Sequence, residues 1–176
     1  GGFNKIEFGQ DKSITTHPIE LENEDMKFFF DSLFLIYTKQ LRFANDVTVD
    51  QIEKTKLGTL DKSLEKMKRL VYEAESHLKD KKFDDFGSLL DTSWRIKRSL
   101  TSNISNHQID EIYKLGIDSG ALGGKLLGAG SGGFLLFYVP AKGRNSFLKE
   151  FERAKPLRVD ISRVGVWAKA LEEFNE

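Results

Sequence analysis

The amino-acid sequence predicts an α+β layered domain, and three observations carry the prediction. Short runs of aromatic and branched residues stand near both ends, the middle carries apolar residues at three- and four-residue steps, and a glycine-dense segment separates two further apolar runs. No internal repeat and no low-complexity linker interrupts this order.

Taken along the chain, Phe3-Asn4-Lys5-Ile6-Glu7-Phe8 interleaves apolar and polar residues, and a turn at Gly9 to Ser13 leads to Ile14-Thr15-Thr16-His17-Pro18-Ile19. These read as two strands, the second pushed towards an edge by Pro18. Residues 22–31 fit a short helix or a loop, whereas Leu33 to Thr38 reads as a buried strand. From about Leu41 the period changes. Leu60, Leu64, Met67, Leu70, Val71, Ala74 and Leu78 form one stripe of an amphipathic helix, and Phe83, Phe86, Leu89, Leu90, Trp94, Ile96 and Leu100 form that of a second, packed antiparallel to it across Asp80-Lys81-Lys82. Ser105-Asn106-His107-Gln108 has the pattern of a capping box on Ser105, with Ile104 and Ile109 as a hydrophobic staple, so a helix starts there and ends near Ser119-Gly120. Apolar stretches Ala121 to Leu127 and Phe134 to Val139, a helix from Ser146 to Ala154 and a strand from Leu157 to Val166 complete the pattern.

Composition excludes several function classes. The 27 Lys and Arg balance the 27 Asp and Glu, which leaves no long-range field to gather nucleic acid or an acidic membrane surface. With no cysteine there is no disulfide framework, thiolate nucleophile or Cys-ligated zinc, and a cytoplasmic setting is expected. The longest apolar runs fall far short of the roughly 20 residues of a membrane span. His17, His77 and His107 lie far apart and lack metal-ligand spacing. The acidic clusters Asp84-Asp85 and Glu172-Glu173 read as solvated. The chain opens on Gly1-Gly2-Phe3-Asn4 with its apolar pattern already running, so its start reads as a cut inside a fold.

The chemistry concentrates in Gly123 to Phe134, where six of twelve residues are glycine. Each glycine in regular structure costs roughly 0.5–1 kcal/mol relative to alanine, so a tight turn or a close approach must require them. The segment fits either a hairpin turn without a ligand or a nest of backbone N–H groups suited to phosphate. A dinucleotide fingerprint fits worse, because Phe134 to Val139 reads as strand where that fingerprint opens a helix, and no Gly-Lys-Ser/Thr of a P-loop follows.

Gly124-Lys125-Leu126-Leu127-Gly128-Ala129-Gly130-Ser131-Gly132-Gly133-Phe134 resembles the third, C-terminal motif of the GHMP kinases. The stretches Gly1 to Phe8, Leu41-Arg42-Phe43-Ala44, Trp94-x-x-Lys97-Arg98, Ile104 to Tyr113 and Gly120 to Lys125 look like the D-glycero-D-manno-heptose 7-phosphate kinase branch, so the resemblance runs along nearly the whole chain. It implies a ferredoxin-like C-terminal domain with extra helices over residues 21–176, preceded in residues 1–20 by strands of a ribosomal S5-like N-terminal domain. It also implies an ATP- and magnesium-dependent kinase acting on a sugar phosphate, with the principal phosphate loop and the catalytic Asp upstream of Gly1 and no catalytic residue in this chain. Another small-molecule kinase of the family and a non-catalytic binding or dimerisation module stay open beside it.

On this resemblance Gly128, Ala129, Gly130, Ser131, Gly132 and Gly133 pack against the nucleotide phosphates; Ser131 departs from the branch, which usually has glycine there. Lys125 points at phosphate or into solvent. Lys97 and Arg98 meet the phosphate of a sugar phosphate or lie on a solvated helix face, and Arg42 is similar. Phe3, Ile6 and Phe8 form an apolar face that the N-terminal domain covers, which without that domain leads to self-association and leaves a homo-oligomer open.

Overall fold

The computed structural model describes residues 2–40 and 45–161, with the backbone alone at 45–47. Asn4–Phe8 (β1) and Ile14–Pro18 (β2) pair antiparallel as a separate two-stranded sheet, with Asn4 opposite Pro18 and Phe8 opposite Ile14. Leu33–Tyr37 (β3), Gly123–Leu126 (β4), Phe134–Tyr138 (β5) and Leu157–Arg158 (β6) build a four-stranded sheet in the order β4-β5-β3-β6, every pair antiparallel. The first of these strands lies between the third and the fourth, with helices between β3 and β4 and between β5 and β6. That is the split β-α-β arrangement of a ferredoxin-like domain, carrying extra helices.

Helices are Asn23–Asp31 (α1), Asn45–Lys56 (α2), Asp61–Lys79 (α3), Phe83–Leu100 (α4), His107–Asp118 (α5) and Arg144–Glu150 (α6). The segment that fitted helix or loop is helical. Glu24 and Asp25 in its first turn complement the helix dipole, and Lys27 pairs with Asp31 one turn on at 2.6 Å. The helix expected from Ser146 to Ala154 starts two residues earlier and ends as a 3-10 turn at Glu152–Ala154. Of the last expected strand, Leu157–Arg158 alone pairs among the described residues; its part beyond Ile161, like Arg42, lies outside them.

β3 lacks alternation because both of its faces are buried. Phe34 and Ile36, with Leu135 and Phe137 of β5, face a core shared with Ile109 and Tyr113 of α5 and Phe147 of α6. Leu33 and Tyr138 face a second core with Phe29 of α1 and Phe83 and Leu90 of α4. α4 reaches this sheet closely because Gly87 and Gly123 face each other without side chains; a Cβ on Gly123 would meet the carbonyl oxygen of Gly87 and lie 2.7 Å from the amide nitrogen of Asp91.

The β1–β2 hairpin docks on α3. Phe3 stacks on Phe29 with ring centroids 5.8 Å apart, so it belongs to the domain interior and not to the open face expected of it. That face is made by Ile6, Phe8 and Ile14, which are 51%, 78% and 66% exposed. Lys5 Nζ lies 2.8 Å from Glu75 of α3, which Lys79 approaches to 2.7 Å. Hydrogen bonds from these two ammonium groups hold the Glu75 carboxyl down to about 2. Because that value lies below the unfolded one, the link contributes fully above the ordinary carboxylate range and fades as pH falls from about 5 towards 2. The protection factors of the β1 and β2 amides, which are exchange rates corrected for the intrinsic pH dependence, should therefore fall over that interval, and Glu75→Gln should be weakly protected at every pH; equal protection in both proteins at pH 6 would contradict this.

Candidate functional site

The turn between β4 and β5 runs from Leu127 to Gly133, and its backbone needs its small residues. Gly128, Gly130 and Gly133 have φ of 77°, 137° and 96°, and Ser131 adopts a left-handed 62°. A Cβ on Gly130 would lie 2.9 Å from the carbonyl oxygen of Ile104, and one on Gly132 would lie 2.6 Å from that of Gln40. Two outside segments thus press on the turn.

Hydrogen bonds hold it on three sides. Lys97 of α4 donates to the carbonyl of Gly128 at 2.7 Å. The Ser131 amide donates to Ile104 O at 2.9 Å and its hydroxyl donates to Asn103 O, which buries this serine completely. The Gly133 amide donates to Gln40 O at 3.1 Å, and Gly133 O accepts from Thr38 N at 2.9 Å and Thr38 Oγ1 at 2.8 Å. The amides of Gly128, Ala129, Gly130 and Gly132 make no hydrogen bond among the described residues. Unpaired N–H groups along a chain of mixed-handed residues form a concave anion site.

The cations converge unequally. Lys125, on β4 beside the turn, and Lys97 are half-buried and close enough to repel each other, and neither has a carboxylate partner among the described residues. Burial pushes both ammonium groups down from their ordinary value, and for Lys97 the Lys125 charge adds to it. Lys125 also lines a cavity of about 400 Å³ between the hairpin, α3 and α4, whose walls include Phe3, Ile19, Val71, Phe86 and Leu89. Arg98 points elsewhere, pairing with Asp110 of α5 at 3.0 Å.

That Asp110 also corrects the helix start. The residue capping α5 is Asn106, whose side chain accepts from Ile109 N at 3.1 Å, while Ser105 Oγ donates to Asp110 at 2.7 Å. Gln108 does not return to the cap; its side chain accepts from Gln40 Nε2 at 2.6 Å. Accordingly Asn106→Ala should cost about 0.5–2 kcal/mol of stability, and Ser105→Ala less. Urea unfolding that ranks them the other way would restore the cap to Ser105.

Sequence reasoning missed Thr38, Gln40, Asn103 and Ile104, which act on the turn from distant parts of the chain and mostly through backbone. The density of glycine signals that something approaches; it carries no hint of what.

Residues 74–155 match the family described as GHMP kinases C terminal. The chain is 35% identical over 166 residues to the D-glycero-alpha-D-manno-heptose 7-phosphate kinase of Campylobacter jejuni, covering 92% of this chain and 48% of that protein. In fold it is similar to L. major mevalonate kinase in complex with R-mevalonate, with a TM-score of 0.74 and 20% identity over 90% of this chain and 48% of that one. Lactococcus lactis galactokinase complexed with galactose aligns at a TM-score of 0.57 with 15% identity, over 86% and 46% of the two chains. The chain spans about half the length of these kinases. It carries the C-terminal domain of the GHMP kinases.

Proposed function

We propose that this chain is the C-terminal half of a cytoplasmic ATP-dependent sugar kinase that phosphorylates a hydroxyl of a sugar phosphate, with heptose 7-phosphate the first acceptor to test. The observation that carries the reading is the pairing of four unbonded turn amides with two half-buried lysines that lack a counter-charge. Such a site is short of negative charge, and phosphate supplies it. The identity to the Campylobacter kinase supports the acceptor class.

ATP supplies the phosphoryl group. The amides of Gly128 to Gly132 hold its phosphates, Lys97 keeps the turn in register from Gly128, and Lys125 meets the phosphate that the acceptor already bears. No cluster of carboxylates among the described residues suits a metal; magnesium belongs with the triphosphate. Residues 1–20 belong to the sheet of a preceding half, which brings the principal phosphate loop and a catalytic Asp and covers Ile6, Phe8 and Ile14. Catalysis of this kind comes from holding donor and acceptor together, so this chain by itself should turn over nothing.

The test is an ADP-release assay on the full-length polypeptide with heptose 7-phosphate, galactose and mevalonate. Heptose 7-phosphate should be consumed fastest; no ATP turnover with any acceptor, or a preference for mevalonate, overturns the reading. Lys125→Met should raise the KM for the phosphorylated acceptor about tenfold, which corresponds to one charge-assisted hydrogen bond of about 1.4 kcal/mol, and leave the KM for ATP within about twofold. A selective rise in the ATP value instead would assign Lys125 to the nucleotide.

A further inference from the structure

Gln40 stands in no motif, yet it touches both the phosphate turn and the start of α5. Its carbonyl accepts from the Gly133 amide at 3.1 Å and occupies the space that a side chain on Gly132 would need. Its side-chain amide is held in turn by α5. Asn106 Nδ2 donates to Gln40 Oε1 at 2.7 Å, and Gln40 Nε2 donates to Gln108 Oε1 at 2.6 Å and, at 3.4 Å, to Asn106 Oδ1. Asn106 is the residue that caps α5. Lys39, in a left-handed conformation with φ of 58°, turns the chain back so that Thr38 and Gln40 grip the two ends of the same Gly133 residue.

We propose that Gln40 is a positioning residue for the nucleotide phosphates, which rests on reading the turn as the ATP site. A turn built from glycines has no conformational preference of its own strong enough to keep four amides aimed at one anion. Its aim is imposed by what it is tied to. Lys97 and Ser131 tie the first part of the turn to α4 and to the 103–104 segment. Gln40 ties the last part, and its carbonyl keeps its place because the side chain is anchored to the α5 start. Loss of that anchor frees the Gly132 amide to swing out of line while every core contact stays, so the effect falls on nucleotide affinity and spares the fold.

The experiment uses the full-length enzyme, wild type and Gln40→Met, which keeps the length of the side chain and removes its hydrogen bonds. Calorimetric titration with a non-hydrolysable ATP analogue, the KM values for ATP and for acceptor, and the thermal midpoint are read together. Loss of a net hydrogen bond of about 1 kcal/mol predicts an ATP analogue Kd and an ATP KM raised about fivefold, with the acceptor KM within about twofold and the midpoint within a few degrees. Gln108→Met, at an exposed position, should shift the same two nucleotide values in the same direction by a smaller factor, which keeps the test open if Gln40→Met does not fold. A lowered midpoint with unchanged nucleotide affinity makes Gln40 merely structural, and an equal rise in both KM values makes it a general support; either overturns the inference. If the wild type binds the analogue and both variants bind it equally, this inference alone falls. If the wild type binds none, the ATP reading falls and takes the inference with it.

Discussion

Gly123→Val should be the most destabilising of these substitutions and lower the unfolding midpoint sharply. A Cβ at this position meets the Gly87 carbonyl oxygen and lies 2.7 Å from Asp91 N, both backbone atoms of α4 that no rotamer change can move. The helix would have to lift away from β4. Gly87 also rests on the ring of Tyr138, the residue paired with Gly123 across β4 and β5, so the displacement would lift α4 off that ring as well and open the second core around Leu90 and Phe83. Overpacking of this kind costs about 1–3 kcal/mol and occasionally more, and the exposure of that core adds to it. A total of roughly 3–5 kcal/mol is a large share of the 5–15 kcal/mol that holds an ordinary domain together. Urea unfolding of Gly123→Ala and Gly123→Val should show a graded loss. A midpoint equal to that of the wild type would mean that α4 can ride off the sheet at no cost.

Gly130→Val should instead spare the fold and remove function. Its φ of 137° is one that branched residues do not adopt, and its Cβ would lie 2.9 Å and 3.0 Å from the oxygen and Cα of Ile104. Strain of about 1–3 kcal/mol can be relieved only by moving the turn away from the 103–104 segment, which carries the neighbouring amides out of line. Phosphoryl transfer by the full-length enzyme should fall at least about tenfold, equivalent to about 1.4 kcal/mol of barrier. Gly128→Ala is the matched control. Its φ is also positive, at 77°, but no atom lies within 4 Å of the added carbon, so it should cost only about 1–2 kcal/mol of backbone energy. Equal turnover in the wild type and Gly130→Val would reduce the turn to a connector between two strands.

Helices α3 to α6 and the central strand were legible because their signals are local, whereas α1 stayed open between helix and loop and no pattern marked α2. The stripe from Leu60 to Leu78, apart from the exposed Val71, and the unbroken Leu33 to Tyr37 run follow from which faces are buried. The start of α5 shows the limit of such signals. Ser105 and Asn106 are both good capping residues, and adjacent; the choice between them falls to Asp110, which takes the Ser105 hydroxyl, and to Gln40, which takes Gln108. Pattern alone cannot see either partner. The same holds for Lys97 and Arg98. Successive helical residues point about 100° apart, so a single site cannot claim both, and the structure gives Lys97 to the turn and Arg98 to Asp110. The division of the chain at about residue 20 came from family resemblance, and nothing in the periodicity of residues 1–31 marks it.

The position of β3 has a consequence for how the chain is made. Leu33 to Tyr37 pairs with Tyr138 to Phe134, so at least 97 residues separate any two partners. At a synthesis rate of about 5–20 residues per second, this strand waits roughly 5–20 s before the segment that completes its hydrogen bonds exists. The α3–α4 pair, joined by three residues, can form early in that interval. Meanwhile Leu-Phe-Leu-Ile-Tyr, uncharged and free of proline and glycine, has the composition of a segment that self-associates when left unpaired. During birth on the ribosome this inner strand of the finished sheet is therefore a vulnerable one, and a chaperone that binds extended apolar chain would find a natural substrate there.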